Sequence, residues 1–238
     1  DVAFLRVLPI PFRNFYSHDP LFEKFISSIK SHFKSGEKLL PAHGRRYASV
    51  EDVLIARGKG LVELFRYKDL RFLFGKKYWM DPLITEYGER EVYRFLTRIL
   101  DIREIRIDDV VEELTAEFFE RKSEKWLSEF YSLVKNIPGL WQKSGAGKGL
   151  LRVRPIIRLE DDSHICPFDE DGRVQVYLPG EEESLFPTVK RSLVKDEAAM
   201  DFFRALKMTE PDIFAEIREF ILPKYQTEKP GETEKEYL

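Results

Sequence analysis

The run Gly145-Ala146-Gly147-Lys148 is the part of the sequence that comes closest to a phosphate-binding loop. A Walker A loop needs a glycine five positions before its Gly-Lys pair and a Ser or Thr after the lysine, because backbone amides surround the phosphates and the hydroxyl group holds Mg²⁺. Gln142 and Gly149 occupy those two positions, and a helical pattern rather than a strand precedes the run. We therefore interpret the run as a polar linker.

Nucleophiles and metal-ligand residue types occur in the sequence, but not at spacings that would assemble a site. Ser17, His18 and Asp19 are the types of a hydrolase triad, yet consecutive residues cannot form its hydrogen-bonded relay. His164 and Cys166 alternate along a predicted strand, but the sequence holds one cysteine, so a zinc site would lack its further thiolate. The sequence predicts no catalytic residue, no cofactor and no metal ligand.

Two acidic clusters, residues 160–162 and 169–171, are the places where a hard cation could be imagined. On the calcium-loop template Asp171 and Gly172 fit, but Pro167 stands at the first ligand position and Leu178 at the bidentate one. Asp and Gly are also the residues that tight turns need. We therefore predict that these carboxylates shape turns, and a hydrolase that uses them is the least favoured hypothesis.

A basic segment interleaved with aromatic residues runs from Arg45 to Lys77. Lys and Arg neutralise phosphates and aromatic rings stack on bases, so this composition suits contact with nucleic acid. Lys and Arg also commonly solvate the outer face of a helix, and Phe65 and Phe72 fit core positions. Nucleic-acid binding is therefore the alternative function, and its candidate contact residues are Arg45, Arg46, Arg57, Lys59, Lys76 and Lys77.

The composition is that of a globular chain with an ordinary core. Its 238 residues are 43% hydrophobic, and 39 Lys and Arg nearly balance 42 Asp and Glu, which argues against wholesale binding to nucleic acid or an anionic membrane. Cys166 cannot form an intramolecular disulfide, and a free thiol is typical of a reducing compartment. No apolar run approaches the ~20 residues of a membrane span. We expect a cytosolic fragment of a longer protein, because the chain starts at Asp1 on an apolar stretch.

Hydrophobic periodicity predicts the elements that carry these residues. Phe22, Phe25, Ile26, Ile29 and Phe33 indicate a helix over residues 20–34, capped by Asp19. Further helices are predicted over about 86–100, from 108, from 123, and over about 196–206 and 210–222. A β-hairpin is predicted around residues 39–49, and three short strands over 153–159, 164–168 and 174–178.

These elements predict an α+β fold that is predominantly helical, with two small antiparallel hairpin sheets, one in each half. We predict an N-terminal unit over residues 1–142, a linker over 143–150, a C-terminal unit over 151–225, and a charged, loose tail over 226–238.

One pattern also occurs twice at a constant offset. Leu96, Leu100 and Ile102 correspond to Phe202, Leu206 and Met208, which indicates a weak internal duplication of a hairpin followed by a helix pair; a chance likeness of two amphipathic helix pairs is the alternative.

Several phrases in the sequence resemble a region of large prokaryotic sacsin-like proteins. They are RPIIRLED at 154–161, HICPFD at 164–169, VYLP at 176–179, FPTVKR at 186–191, residues 197–206, EPD at 210–212 and LPKY at 222–225, with residues 39–52 in the first half. In such proteins modules of this kind follow an N-terminal ATPase domain of the GHKL type, whose nucleotide fold is shared with heat-shock-90 chaperones. ATP binding belongs to that upstream domain, so the resemblance assigns no ligand or catalytic residue to this chain.

The resemblance implies a non-catalytic module of a chaperone-like or defence-associated ATPase. Such a module would transmit the nucleotide state of the ATPase domain or bind a client. Its expected partners are the upstream ATPase domain of the same polypeptide and a protein client, with nucleic acid as the alternative and no membrane.

Overall fold

A computed structural model describes residues 20–58, 60–85, 90–142, 149–181 and 184–227 of the chain. These residues form many helices and short strands. The predicted α+β, predominantly helical fold is confirmed. An antiparallel hairpin lies at each of the two expected places, and a parallel three-stranded sheet, which the sequence did not predict, lies beside the first. Among the described residues, no helix combines the length and the apolar content needed to cross a membrane.

The chain divides into two compact units, Asp1–Val110 and Val111–Leu238. The first unit holds the helices α1 (Pro20–Phe33), α2 (Leu61–Leu64), α3 (Tyr67–Phe74), α4 (Pro82–Thr85), α5 (Arg90–Arg94, continued by a π-helical turn Phe95–Ile99) and α6 (Ile107–Glu112), which reaches the division. Its strands are β1 (Leu40–Ala42), β2 (Arg46–Ala48), β3 (Val53–Ala56), β4 (Tyr78–Trp79) and β5 (Glu104–Ile105).

The core of the first unit lies between α1, the strands and α5. The predicted helical spacing brings Phe33 to the buried side of α1, where its ring meets that of Phe95 edge to face at 6.0 Å. Strand β3 is central in the three-stranded sheet and pairs in parallel with β4 and β5. Val53 and Ile55 of β3 are buried in the same hydrophobic core as Phe33 and Phe95. The role of Asp19 as a cap lies outside the described residues.

The second unit begins with two helices that sequence analysis placed in the first. Its helices are α7 (Ala116–Glu120), α8 (Glu124–Lys135), α9 (Arg191–Val194), α10 (Glu197–Ala205), α11 (Ile213–Glu216, continued by a π-helical turn Ile217–Ile221) and α12 (Leu222–Thr227). Its strands are β6 (Ile157–Arg158) and β7 (His164–Ile165), and 3-10 turns lie at Pro138–Leu140 and Leu150–Val153. The predicted strand over 153–159 is therefore much shorter in the structure.

The division between the units differs from the predicted boundary at 143–150. Helix α8 packs along α10, where the ring of Tyr131 stacks on that of Phe202 at 5.3 Å and its hydroxyl donates to the carbonyl oxygen of Ile156 at 2.6 Å. These buried contacts join α8 to the second unit. Residues 143–148 of the predicted linker and residues 228–238 of the predicted tail lie outside the described residues, while α12 extends to Thr227.

The predicted duplication is visible in the backbone pairing of the two units. In the first hairpin Leu40 pairs with Ala48, and in the second Ile157 pairs with Ile165, so these paired residues are separated by the same number of positions in both hairpins. In both units an isolated antiparallel bridge also connects the hairpin region to a later residue, Ala42 to Met80 in the first unit and Leu159 to Val189 in the second.

The parallel pairings repeat in the same order. The amide of Met80 donates to the carbonyl oxygen of Leu54 at 2.8 Å, and the amide of Val189 donates to that of Tyr177 at 2.9 Å. One residue further along each central segment, Ile55 donates to Arg103 at 3.0 Å and Leu178 donates to Thr209 at 2.9 Å. Each unit therefore contains a helix, a hairpin, two parallel connections and a second helix that packs on the first.

The second helix ends in the same way in both copies. Asp101 and Lys207 follow the helices with φ angles of 60° and 61°, a left-handed conformation that residues other than glycine seldom adopt. The next residues, Ile102 and Met208, are buried and bond back to the helix through their amides. This repeated cap is the structural basis of the pattern seen in the sequence.

Candidate functional site

The helix that closes the second unit, residues 213–227, is the first candidate site and is called here the outer helix. Asp212 begins it by accepting a hydrogen bond from the amide of Phe214 at 3.1 Å. One side of the helix is anchored, because Phe220 meets Phe186 edge to face at 4.8 Å and Glu216 accepts from the amide of Leu185 at 2.7 Å. A hydrogen bond from the Ser184 hydroxyl holds the pKa of Glu216 below its usual value.

The outer helix also exposes large apolar side chains to solvent. Phe214 is 74% exposed and Ile213 is 58% exposed, although both belong to residue types that normally lie inside. We call the following residues the exposed apolar face: Ile213, Phe214, Ile217, Leu222 and Tyr225. Several exposed large apolar side chains on one helix are the kind of surface that interaction sites use.

The equivalent helix of the first copy is buried. Helix α6 follows the repeated cap of the first unit as the outer helix follows that of the second, and Ile107 occupies the position of Ile213. Ile107 is 9% exposed, and Val111 and Leu114 further along are buried as well. The same structural position is therefore covered in one copy and uncovered in the other.

The predicted nucleic-acid contacts that the structure describes have different surroundings. Arg57 is paired with Glu104 at 2.9 Å, and the Lys77 ammonium group donates to the Glu51 carbonyl oxygen. Arg45 lies exposed in the first hairpin turn, and Lys59 is outside the described residues. Of the six, the structure brings Arg46 and Lys76 to one group of aromatic residues.

That group is centred on Tyr67 and Tyr78, whose rings stack at 4.7 Å with an angle of 13° between them. The guanidinium group of Arg46 lies over the Tyr67 ring, 5.6 Å from its centroid. Arg71 approaches the hydroxyl of Tyr67, and Lys76 lies near Tyr78. We call these five residues the tyrosine cluster. Arg71 was missing from the sequence prediction, although it follows Tyr67 by one helical turn on α3.

The two hydroxyl groups of the tyrosine cluster influence each other. A hydrogen bond between them lowers the pKa of Tyr67, and the nearby Arg71 and Arg46 act in the same direction. The same hydrogen bond raises the pKa of Tyr78. The cluster therefore presents a hydrogen-bonded pair of phenol groups next to cationic side chains.

The acidic clusters act in turns and ion pairs. Asp161 accepts from the amide of Ser163 at 3.0 Å, and Asp169 accepts from that of Arg173 at 2.7 Å. Asp162 pairs with the ammonium group of Lys190 at 2.5 Å. In the part of the chain that the structure describes, no three His, Cys, Asp or Glu side chains gather in a way that could hold a metal ion.

The structure gives His164 and Cys166 separate surroundings. His164 contacts Arg158, and its ring stacks on Phe119 at 5.6 Å. The thiol of Cys166 is partly buried, which raises its pKa, so it is protonated and unreactive at neutral pH. Ser17, His18 and Asp19 lie outside the described residues.

Comparison with known proteins found no relative. No protein-family model matches the chain, and neither a curated protein nor a solved structure is similar to it. The described residues define the class by their fold and surfaces: a mainly helical α+β module with a helix that exposes apolar side chains and a cluster of basic and aromatic residues.

Proposed function

We propose that this chain is a non-catalytic docking module of a larger sacsin-like protein with a GHKL-type ATPase domain, and that the outer helix binds an amphipathic helix of a protein client. The single observation that carries the proposal is the exposed apolar face, which has Phe214 at 74% exposure. The resemblance of residues 154–225 to the sacsin-like region supports the assignment to such a parent protein, in which ATP binding belongs to another domain.

The repeat supports a helical occupant for this face. The helix at the equivalent position, α6, buries Ile107, Val110 and Val111. A client helix that supplies apolar side chains would give the outer helix the same cover, by the packing that helices use to bury an apolar stripe. Each large apolar side chain that becomes buried contributes ~1.5–3 kcal/mol before the cost of association is subtracted.

The charges along the outer helix define the client further. Acidic residues outnumber basic ones between residues 210 and 225, where the charged residues are Glu210, Asp212, Glu216, Glu219, Arg218 and Lys224. A helix with Lys or Arg beside its apolar stripe is therefore the favoured client. We expect a dissociation constant on the order of 1–100 μM, since the face is small.

A binding measurement with a labelled model peptide tests the proposal. The probe is an amphipathic helical peptide of Leu and Lys residues, and a peptide of the same pattern with Glu in place of Lys serves as its counterpart. Fluorescence anisotropy should show binding of the Lys peptide, with weaker binding of the Glu peptide. The double substitution Phe214→Asp and Ile217→Asp should weaken binding at least about tenfold, because it places charges in the contact.

Leu83→Asp is the matched control, since Leu83 is 54% exposed in the first unit and lies outside the exposed apolar face. It should bind the Lys peptide as the unchanged chain does. Equal loss in both variants would show that binding is not located on the outer helix. Sedimentation of the unchanged chain as a dimer that the double substitution dissociates would assign the face to a second copy instead, and would overturn the assignment to a client.

A further inference from the structure

The tyrosine cluster of the first unit gathers hydrogen-bond donors and positive charge on an exposed surface. Arg46, Arg71 and Lys76 are exposed, and the Lys76 side chain retains 64% of its accessible surface. Tyr67 and Tyr78 are partly buried, which places their rings firmly under these flexible cations. Guanidinium, ammonium and phenol groups are the donors that bind phosphate oxygens.

The geometry favours phosphate over base recognition. The Tyr67 ring already has two partners, the Tyr78 ring stacked on it at 4.7 Å and the Arg46 guanidinium over it at 5.6 Å. A base that stacked on Tyr67 would compete with them. The guanidinium groups, by contrast, retain donor positions, because each carries five N–H groups. The hydrogen bond between the two tyrosine hydroxyls uses one O–H and leaves the other free to donate.

The local charge balance points the same way. Asp52 is paired with Lys76 at 3.4 Å and offsets one of the three positive charges of the cluster. The nearby cations that sequence analysis included with them are engaged elsewhere, as Arg57 is with Glu104 at 2.9 Å. Arg46 and Arg71 therefore contribute positive charge to the cluster beside Lys76.

We propose that the tyrosine cluster is a phosphate-binding site that holds the backbone of single-stranded nucleic acid through Arg46, Arg71, Lys76 and the hydroxyl groups of Tyr67 and Tyr78. A phosphodiester backbone can place successive phosphates on several donors at once, whereas a free phosphate or a nucleotide engages fewer of them. The site is independent of the outer helix, and it lies in the other unit.

Fluorescence anisotropy with a labelled oligothymidylate of about 20 nucleotides tests the site, since this probe carries phosphates and no base preference. Binding should weaken as salt rises, with a slope of log K against log salt of about −2 for three neutralised phosphates on a single strand. Arg46→Gln with Arg71→Gln should reduce affinity at least about tenfold and bring the slope toward about −0.7. Tyr67→Phe with Tyr78→Phe should keep the slope and weaken binding by a few fold, because it removes donors but not charges.

Arg57→Gln is the matched control, since it removes one positive charge from the same unit but outside the cluster. It should leave the affinity within about twofold and the salt slope unchanged. An equal loss in Arg57→Gln and in the cluster variants would overturn the proposal, as would binding that does not depend on salt. A parallel titration with inorganic phosphate and ATP separates the sources. If the small anions bind and the oligonucleotide does not, the nucleic-acid backbone is rejected as the ligand. If neither the small anions nor the oligonucleotide bind, the site itself is rejected.

Discussion

Arg158 and His164 lie opposite each other on the second hairpin, and the Nε–H of Arg158 donates to Nε2 of His164 at 3.2 Å. This contact decides the tautomer of the histidine, because Nε2 must carry a lone pair and the proton must therefore sit on Nδ1. Nδ1 is buried and has no hydrogen-bond partner among the described residues. Burial and the positive charge of Arg158 lower the pKa of His164 from 6.5 to about 4.

The stability of the second unit should depend on pH through His164. The folded state binds this proton more weakly than the unfolded state, so the stability contribution is complete above pH 6.5 and is lost as pH falls from 6.5 toward 4. The slope should be at most ~1.4 kcal/mol per pH unit, the value for one proton. Urea unfolding of the unchanged chain and of His164→Asn between these pH values measures it. A slope that is identical in both proteins would show that His164 is not responsible.

Arg158→Met should destabilise the second unit by ~2–4 kcal/mol. The Arg158 side chain is buried, with 6% exposure, and donates to the carbonyl oxygens of Phe119 at 3.0 Å and Lys122 at 2.7 Å. Methionine fills the space but leaves both carbonyl groups without these donors. Lys125→Gln is the control and should change the free energy of unfolding by less than ~0.5 kcal/mol, since the Lys125 side chain is 86% exposed. Similar values for the two variants in urea unfolding would contradict this account of Arg158.

Asp101→Gly and Lys207→Gly should each stabilise the protein by ~0.5–1 kcal/mol, because glycine adopts a positive φ without a steric penalty. The gain should be larger at Lys207, since Asp tolerates this conformation better than Lys does. Lys195→Gly is the control: Lys195 has a φ of −76° at the end of α9, so glycine there should destabilise. Thermal unfolding of the three variants provides the measurement. If both substitutions at the repeated cap destabilise, the shared conformation of the two caps is not maintained in solution.

Much of the local structure was predictable, because local structure depends on neighbours in the sequence. The period of Phe25, Ile29 and Phe33 predicts α1, and the acidic turn at Asp161 predicts the second hairpin. The parallel strands were missed, since β4 and β5 are two residues long and show no alternation. Their amides and carbonyls find partners far away in the sequence, and no local pattern reports that.

The candidate sites were predicted only in part for the same reason. Arg46 and Lys76 were identified from charge, and the tyrosines were visible as interleaved aromatic residues. These residues come together through the fold, because Arg46 on the first hairpin lies more than 20 positions before Tyr67 on α3 and Tyr78 on β4. The exposed apolar face was not predicted at all: its residues have the ordinary pattern of a buried helix.

The sequence by itself determined where helices and hairpins form, that the acidic residues shape turns, and that one pattern occurs twice. Those properties follow from periodicity and from the steric demands of turns, both of which act over a few residues. Only the tertiary structure decided that Ile107 is covered while Ile213 faces solvent, and that α8 belongs with α10. Burial depends on which distant surface packs against a helix, and two helices with like patterns can therefore end in opposite environments.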